Sequence, residues 1–363
     1  MKNIFSKTVI ILSFVSFFND ISSEMLYPVL PIYLKSIGFS VLFISILESF
    51  SEALAGLSKG YFGKFSDSLQ RRAPFVTFGY MLSAVSKPLL AFFSQISLVF
   101  SARTMDRFGK GIRTAARDAM LSENSTPENR ASVFGLHRGM DTLGAVVGPL
   151  LALAYLSYFP EDYQTLFLIA FIPAAAAVLL TFLLKDKPHD ANRKVVSLKE
   201  YFSFFTYWKR SDKNYRLLTA GLFGFALVNS TDMLLLLMVK SLGYSDSDVI
   251  MVYVFYNLVL ALSALPAGML ADRLGHMKSL IAGILVFSLS YLLIGFSSGL
   301  PMIYSAFVLY GLYPSLTDGV SKALISNISP KEHLGEALGF FTGMNSVFVL
   351  AAGLLAGIIW MGF

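Results

Sequence analysis

The 363-residue chain contains no cysteine. That single absence removes disulfides, thiolate metal sites and cysteine nucleophiles together. Its four histidines (His137, His189, His276 and His333) are scattered and form no ligand-spaced pair, so neither a metal nor a cofactor is expected. Charge is scarce too: Asp, Glu, Lys and Arg make up 14% of the residues, where a soluble domain carries about a quarter. No nucleophile–base set is visible, and Gly109-Lys-Gly111 lacks the spacing and the preceding strand of a phosphate-binding loop. An enzyme is therefore not expected. Apolar residues fill the place of charge: 55% of the chain is hydrophobic, 33 residues are Phe, and the mean hydropathy is +0.64. This composition points to lipid as the solvent.

Apolar runs of about 20 residues, long enough to cross roughly 30 Å of hydrocarbon as helix, recur along the chain. They fall at 8–34, 40–62, 74–93, 95–119, 130–158, 163–184, 215–239, 246–270, 278–297, 301–327 and 333–361, eleven in all. Lipid satisfies no backbone N–H or C=O group, so each run must be helical. The first run contains Asn19, Asp20 and Glu24 and lacks a small-residue cleavage site, so it reads as a retained span and not a signal peptide.

The net charge of +6 could suggest nucleic acid, but its distribution argues against that. Lys and Arg collect in alternate connections: Lys64, Arg71 and Arg72; Arg117 and Arg130; the stretch from Lys185 to Arg216; Arg273 and Lys278; Lys331. The other connections hold little beyond Lys35, Lys240 and the acids Glu161, Asp162, Asp246 and Asp248. Positive charge inside puts the N-terminus and the 185–214 connection in the cytoplasm, and the protein in the cytoplasmic (inner) membrane as a multi-pass chain. Within that connection Ser197-Leu-Lys-Glu200 is a capping-box pattern, followed by Leu198, Tyr201, Phe202, Phe205 and Trp208 on one face. It predicts an amphipathic helix over 197–210 lying on the membrane surface.

An internal repeat organises the chain. Lys35-Ser-Ile-Gly-Phe-Ser40 matches Lys240-Ser-Leu-Gly-Tyr-Ser245, and Gly63…Asp67 matches Gly268…Asp272, both at an offset of 205 (240 − 35; 268 − 63). Two halves of like topology around a linker are the parallel-repeat arrangement of many transporters. The expected units are an N-terminal bundle (1–184), a linker (185–214) and a C-terminal bundle (215–363). Moved by the repeat offset, the sixth run of the first half would begin beyond Phe363, so the expectation is either a chain truncated relative to a twelve-span form or a second half that lacks its last helix.

The segment Gly63-Lys-Phe-Ser-Asp67-Ser-Leu-Gln-Arg71-Arg72 carries the spacing of the loop signature G-x-x-x-D-R-x-G-R-R, and Gly268-Met-Leu-Ala-Asp272-Arg273-Leu-Gly275 repeats it. Gly135, Gly144, Gly148 and Pro149 have the spacing of an antiporter motif. With the run Asp106-Arg-Phe-Gly-Lys-Gly-Ile-Arg113, these residues make the chain resemble the major facilitator superfamily, in a little-characterised prokaryotic branch. The resemblance implies an all-α membrane fold of two pseudo-symmetric helical bundles and alternating-access transport of a small solute. It also implies a loop latch in which Asp67 and Asp272 pair with Arg across the cytoplasmic ends, and export through the antiporter spacing.

In such a fold the first, fourth, seventh and tenth spans line a central cavity. Here they hold Asp20 and Glu24; Arg103, Asp106 and Arg107; Asn229 and Asp232; Asp318 and Lys322. Tyr27 flanks the first of these groups, and Arg138 and Asp141 can pair on the fifth span. Asp20 and Glu24 share one helical face, and like charges close together in a poorly hydrated site raise one pKa, as a proton carrier requires. Glu24 or Asp20 is the expected proton carrier, and Arg103 with Arg107 the expected partner of acids or of an anionic group. Lys110, Arg113 and Arg117 are expected to snorkel to the interface. Lys87, with Glu48 and Glu52, is expected to form structural pairs. The expected partners are a small-molecule substrate, protons and the lipid bilayer, for a monomer that binds no nucleic acid. An importer or uniporter, or a membrane sensor or assembly protein, remains the alternative.

Overall fold

The computed structural model describes residues 5–27, 29–39, 41–186, 205–229, 235–236, 238–239, 242–244, 246–297 and 299–362. The described residues form helices and connections, with no strand among them. Helix α1 (Lys7–Leu26) starts where the Ser6 hydroxyl accepts the Val9 N–H, and α2 (Leu30–Ser36) follows. The first expected span is thus two helices. The sequence has Pro28 between them, which lacks the N–H that a continuous helix needs. Helices α3 (Val41–Leu69), α4 (Ala73–Phe92), α5 (Ile96–Glu123), α6 (Arg130–Tyr158) and α7 (Tyr163–Thr181) complete the first half. The short α8 (Thr206–Arg210) leads into α9 (Lys213–Val228), α10 (Asp246–Leu274), α11 (His276–Gly295), α12 (Leu300–Ile328) and α13 (Leu334–Gly362).

Seven of the described helical stretches are long and apolar enough to cross a membrane. Helix α5 is not one of them, because its polar residues are many; it buries them inside the bundle, with Arg103, Asp106, Arg113 and Asp118 all nearly inaccessible.

In the first half α1 packs on α6 and α7, and α5 on α3 and α4; in the second, α12 packs on α10 and α11. The two most extensive contacts between the halves are α3 against α13 and α6 against α10. Under the repeat α3 corresponds to α10 and α6 to α13, so each of these contacts is the image of the other.

Glycine allows the approach. A Cβ on Gly339 would sit 2.6 Å from the Lys59 carbonyl oxygen, and one on Gly268 would sit 2.9 Å from the Ala131 carbonyl carbon. The repeat also extends to backbone shape at the end of α3 and α10. Gln70 (φ 51°) occupies the place of Gly275 (φ 101°), and its side-chain amide donates to the Asp67 carbonyl at 2.8 Å. That bond holds a left-handed conformation that glycine takes freely.

Of the amphipathic helix expected over 197–210, residues 197–204 lie outside the described residues. The described end packs on protein: Trp208 stacks on Phe223 of α9 at 6.2 Å and lies against Phe340 of α13, while Tyr207 is buried.

Candidate functional site

The loop signatures seal one end of the molecule. Asp67 accepts the backbone N–H groups of Gly335 (3.1 Å) and Glu336 (2.6 Å), in the first turn of α13. Asp272 accepts those of Ala131 (3.0 Å) and Ser132 (2.8 Å), in the first turn of α6. The four acceptors' targets are themselves related by the repeat, since 335 − 131 and 336 − 132 both equal 204. First-turn N–H groups have no partner inside their own helix and sit at the positive end of its dipole, so a carboxylate there is stabilising. Of the expected pairing of Asp with Arg across the helix ends, the first copy has the Asp67–Arg72 pair, but it is not what crosses between the halves. The carboxylates cross to helix N-termini, while Arg72 pairs with Asp67 inside its own half and with Glu123 at 3.2 Å. Arg71 and Arg273 are exposed. His276, beside Asp272 at 2.9 Å, fills the place of Arg71 in the second copy.

Between the halves lies a cavity of about 490 Å³. The first half gives it Asp20 and Glu24 from α1, Lys59 from α3, Lys110, Arg113 and Arg117 from α5, and His137, Arg138 and Asp141 from α6. The second half gives mostly aromatic and amide groups: Phe225 and Asn229 near the end of α9, Tyr253, Tyr256 and Asn257 from α10, and Asn345 from α13. Asp318 and Lys322 of α12 are its charges on that side.

Ion pairs bridge the cavity. Lys322 Nζ lies 2.7 Å from Asp118 Oδ2, and Arg117 reaches the other oxygen of the same carboxylate at 3.1 Å. Arg138 holds Asp141 at 3.2 Å on its own helix and Asp318 at 3.4 Å on the opposite half. The Ser16 hydroxyl donates to Asp141 at 2.5 Å and accepts from Arg117 at 3.3 Å, tying α1, α5 and α6 into one network. Asp20 sits beside Asp141. Water reaches part of the set: the side chains of Arg138 and Asp318 are 40% and 42% exposed, whereas Asp118 is fully buried. Charges at this depth are tolerated only where they are paired or line a wet cavity, and both conditions hold here.

Residues 12–245 and 217–363 match the Major Facilitator Superfamily. The chain belongs to this superfamily. An uncharacterised MFS-type transporter of Methanocaldococcus jannaschii is 31% identical over 98% of this chain and 89% of its own length. The fold resembles that of the human organic anion transporter MFSD10 (TETRAN), with a TM-score of 0.78 at 16% identity over 96% of this chain and 92% of that one. It also resembles FucP, a superfamily transporter solved in the outward conformation, with a TM-score of 0.72 at 13% identity, covering 99% and 92%. The all-α architecture, membrane location and solute transport follow from superfamily membership.

Within this superfamily fold, the structure brings Asp20, Glu24, Arg138, Asp141, Asn229 and Asp318 to the cavity wall. It puts Arg103 and Asp106 elsewhere. Asp106 binds Lys87 at 2.8 Å and Arg103 at 3.4 Å in a buried cluster between α4 and α5. Arg107 pairs with Glu52 at 3.0 Å, and neither is among the lining residues. Tyr27, half exposed past the end of α1, is not among the lining residues either, and Asp232 lies outside the described residues, as does the side chain of Glu48.

The snorkelling expected of Lys110, Arg113 and Arg117 is corrected, because all three line the cavity. Arg103, Lys110 and Arg117 are spaced by sevens on one face, yet only the last two line the cavity, so the spacing alone does not place them. Of the antiporter spacing, Gly144 and Gly148 face the α1 backbone at Phe17 and Ile21, while Gly135 faces Ala264 of α10. The same motif thus packs α6 within its half and across the halves. Asp118, His137 and Lys59 were missed: Asp118 and His137 stand beside the charged residues Arg117 and Arg138, and the partners of Asp118 and Lys59 in the other half, Lys322 and Ser346, leave no local trace.

Proposed function

We propose that the chain is a proton-coupled secondary transporter of the cytoplasmic (inner) membrane, with its N-terminus in the cytoplasm, that exports a small solute. The units 1–184 and 215–363 rock about the cavity, and the end held by Asp67 and Asp272 is the cytoplasmic one, where the basic connections lie. The observation that carries this reading is the Arg138 bridge. One guanidinium joins a carboxylate of its own half to a carboxylate of the other, in a site that water enters. A solute or a proton that displaces either carboxylate weakens the contact between halves, which is the coupling that alternating access needs. Asp20 or Glu24 takes the proton. The spacing of Gly135, Gly144, Gly148 and Pro149 supports export.

Reconstitution into liposomes tests the proposal. An imposed proton gradient should drive solute counter to it in the wild type and fail in an Asp20→Asn, Glu24→Gln double variant. Coupled flux surviving in that variant removes the carrier assignment. Movement down the solute gradient, indifferent to the proton gradient, makes the chain a uniporter.

A further inference from the structure

We infer that the cavity binds a small organic carboxylate, with Lys59 and Lys110 as its counter-ions and the aromatic wall of the second half against its apolar body. The inference rests on the reading of the cavity as the solute site and adds the class of solute.

Its basis is an imbalance among the lining charges. Arg117 and Lys322 share Asp118, and Arg138 holds Asp141 and Asp318. Three lining cations are left without a carboxylate partner among the described residues. Arg113 is buried, donates to the Ser83 hydroxyl at 2.6 Å, and lies 4.4 Å from the centre of the Tyr80 ring. It is committed to α4. Lys59 makes one polar contact, to the Ser346 hydroxyl at 2.9 Å, and Lys110 makes none while remaining exposed to the cavity.

The two lysines lie within electrostatic reach of one another. Asp20, Glu24 and Glu52 are in reach of Lys110, and Glu52 and Asp118 in reach of Lys59, but none is at ion-pair distance from either lysine; Glu52 is held by Arg107 at 3.0 Å and Asp118 by Arg117 and Lys322. Two ammonium groups facing one cavity without a contacting carboxylate leave room for an anion from outside.

The other wall says what kind of anion. Phe225, Tyr253 and Tyr256 line it from the second half, and the Asn345 amide, next to the Ser346 partner of Lys59, makes no hydrogen bond among the described residues. Aromatic faces opposite cations suit a solute with an organic body and an anionic end, better than a bare inorganic ion. The guanidinium that could hold a phosphate in a fork, Arg113, is already engaged by Ser83 and Tyr80.

The test is a thermal-shift and isothermal-titration panel on the full chain in detergent: succinate, benzoate, inorganic phosphate, glucose and tetraethylammonium. A carboxylate should stabilise the wild type. Its affinity should fall roughly tenfold or more for each of Lys59→Gln and Lys110→Gln, as expected for losing a charged hydrogen-bond partner. Lys59→Arg and Lys110→Arg should retain it, which guards against a folding defect in the Gln variants. Stabilisation only by glucose or tetraethylammonium overturns the inference. So does phosphate binding more tightly than the carboxylates, carboxylate binding unchanged in the Gln variants, or no carboxylate binding at all. Liposome counterflow then separates the two readings. A carboxylate that binds through these lysines but never crosses leaves the anion site standing and removes transport, whereas flux of a neutral or cationic solute leaves transport standing and removes the anion site.

Discussion

Lys322 Nζ, on the second half, sits 2.7 Å from Asp118 Oδ2 on the first, and Asp118 has no exposure to water. Asp118 also serves Arg117 at 3.1 Å, so one carboxylate neutralises two cations from different halves. Removing one member of a buried pair leaves the others uncompensated, at about 3–5 kcal/mol. Asp118→Asn should therefore lower the detergent melting temperature more than Lys322→Gln does, because Asp118→Asn strands two cations. Asp118→Asn with Lys322→Gln should regain part of the loss. Equal effects of the two single variants, or a double variant that loses their sum, would show that the three side chains do not act as a unit.

The twofold caps make a second prediction. Asp67 and Asp272 each hold a pair of first-turn N–H groups in the opposite half. Asparagine keeps the shape but loses the charge that the helix N-terminus favours. If each substitution removes about 1–2 kcal/mol from the closed end, the open population rises about 5–30-fold. The chain has no native cysteine, so a single Ser321→Cys, on the cavity wall, reports without background. Its labelling from the Asp67 side by a membrane-impermeant maleimide should speed up in Asp67→Asn and in Asp272→Asn by similar factors. Acceleration in only one of them would mean that the two caps are not functionally equivalent.

How much of this was legible beforehand depends on the kind of signal. The repeat, the loop signatures and the helical spans follow from periodicity and composition, which local sequence records directly. The cap geometry did not follow, because the motif shows which residues carry charge but not that the acceptor's partner is a backbone N–H in the other half. The split of α5 failed for a similar reason. Arg103, Asp106, Lys110, Arg113 and Arg117 all sit on one polar helix, and only the neighbours decide their fates. Lys87 on α4 draws Asp106 and Arg103 away, while α12 and α1 leave Lys110 and Arg117 facing the cavity. Cross-half partners separated by some 200 residues, such as Asp118 and Lys322, have no local trace at all.

The glycine contacts divide cleanly into those that a side chain would break and those that it would not. A Cβ at Gly268 would meet the Ala131 backbone at 2.9 Å, and α6 would have to move away. Gly268→Ala should cost about 1–3 kcal/mol, as overpacking does, and should open the end sealed by Asp272 in the labelling assay above. Gly221 and Gly224 on α9 meet nothing within 4 Å. Ala at either should be neutral or stabilising by up to about 1 kcal/mol, from helix propensity alone. A destabilised Gly224→Ala would show that α9 has a packing partner at that face.

The buried cluster of Lys87, Asp106 and Arg103 tests whether the polar face of α5 has two separate tasks. Lys87 Nζ is 2.8 Å from Asp106 Oδ1, and neither residue lines the cavity. If the cluster is structural, Lys87→Met alone should destabilise by about 3–5 kcal/mol, since it takes the 2.8 Å partner from a buried carboxylate and leaves the longer Arg103 contact at 3.4 Å. Replacing both, Lys87→Met with Asp106→Leu, exchanges an ion pair for apolar packing but also takes the Asp106 contact from Arg103, so it should recover part of the melting temperature. Transport by the double variant should then keep the wild-type apparent solute affinity, because Lys59 and Lys110 are untouched. A tenfold weaker affinity at an unchanged melting temperature would instead place Asp106 on the solute path, and the separation of the α5 face into a structural outer part and a solute-facing inner part would have to be withdrawn.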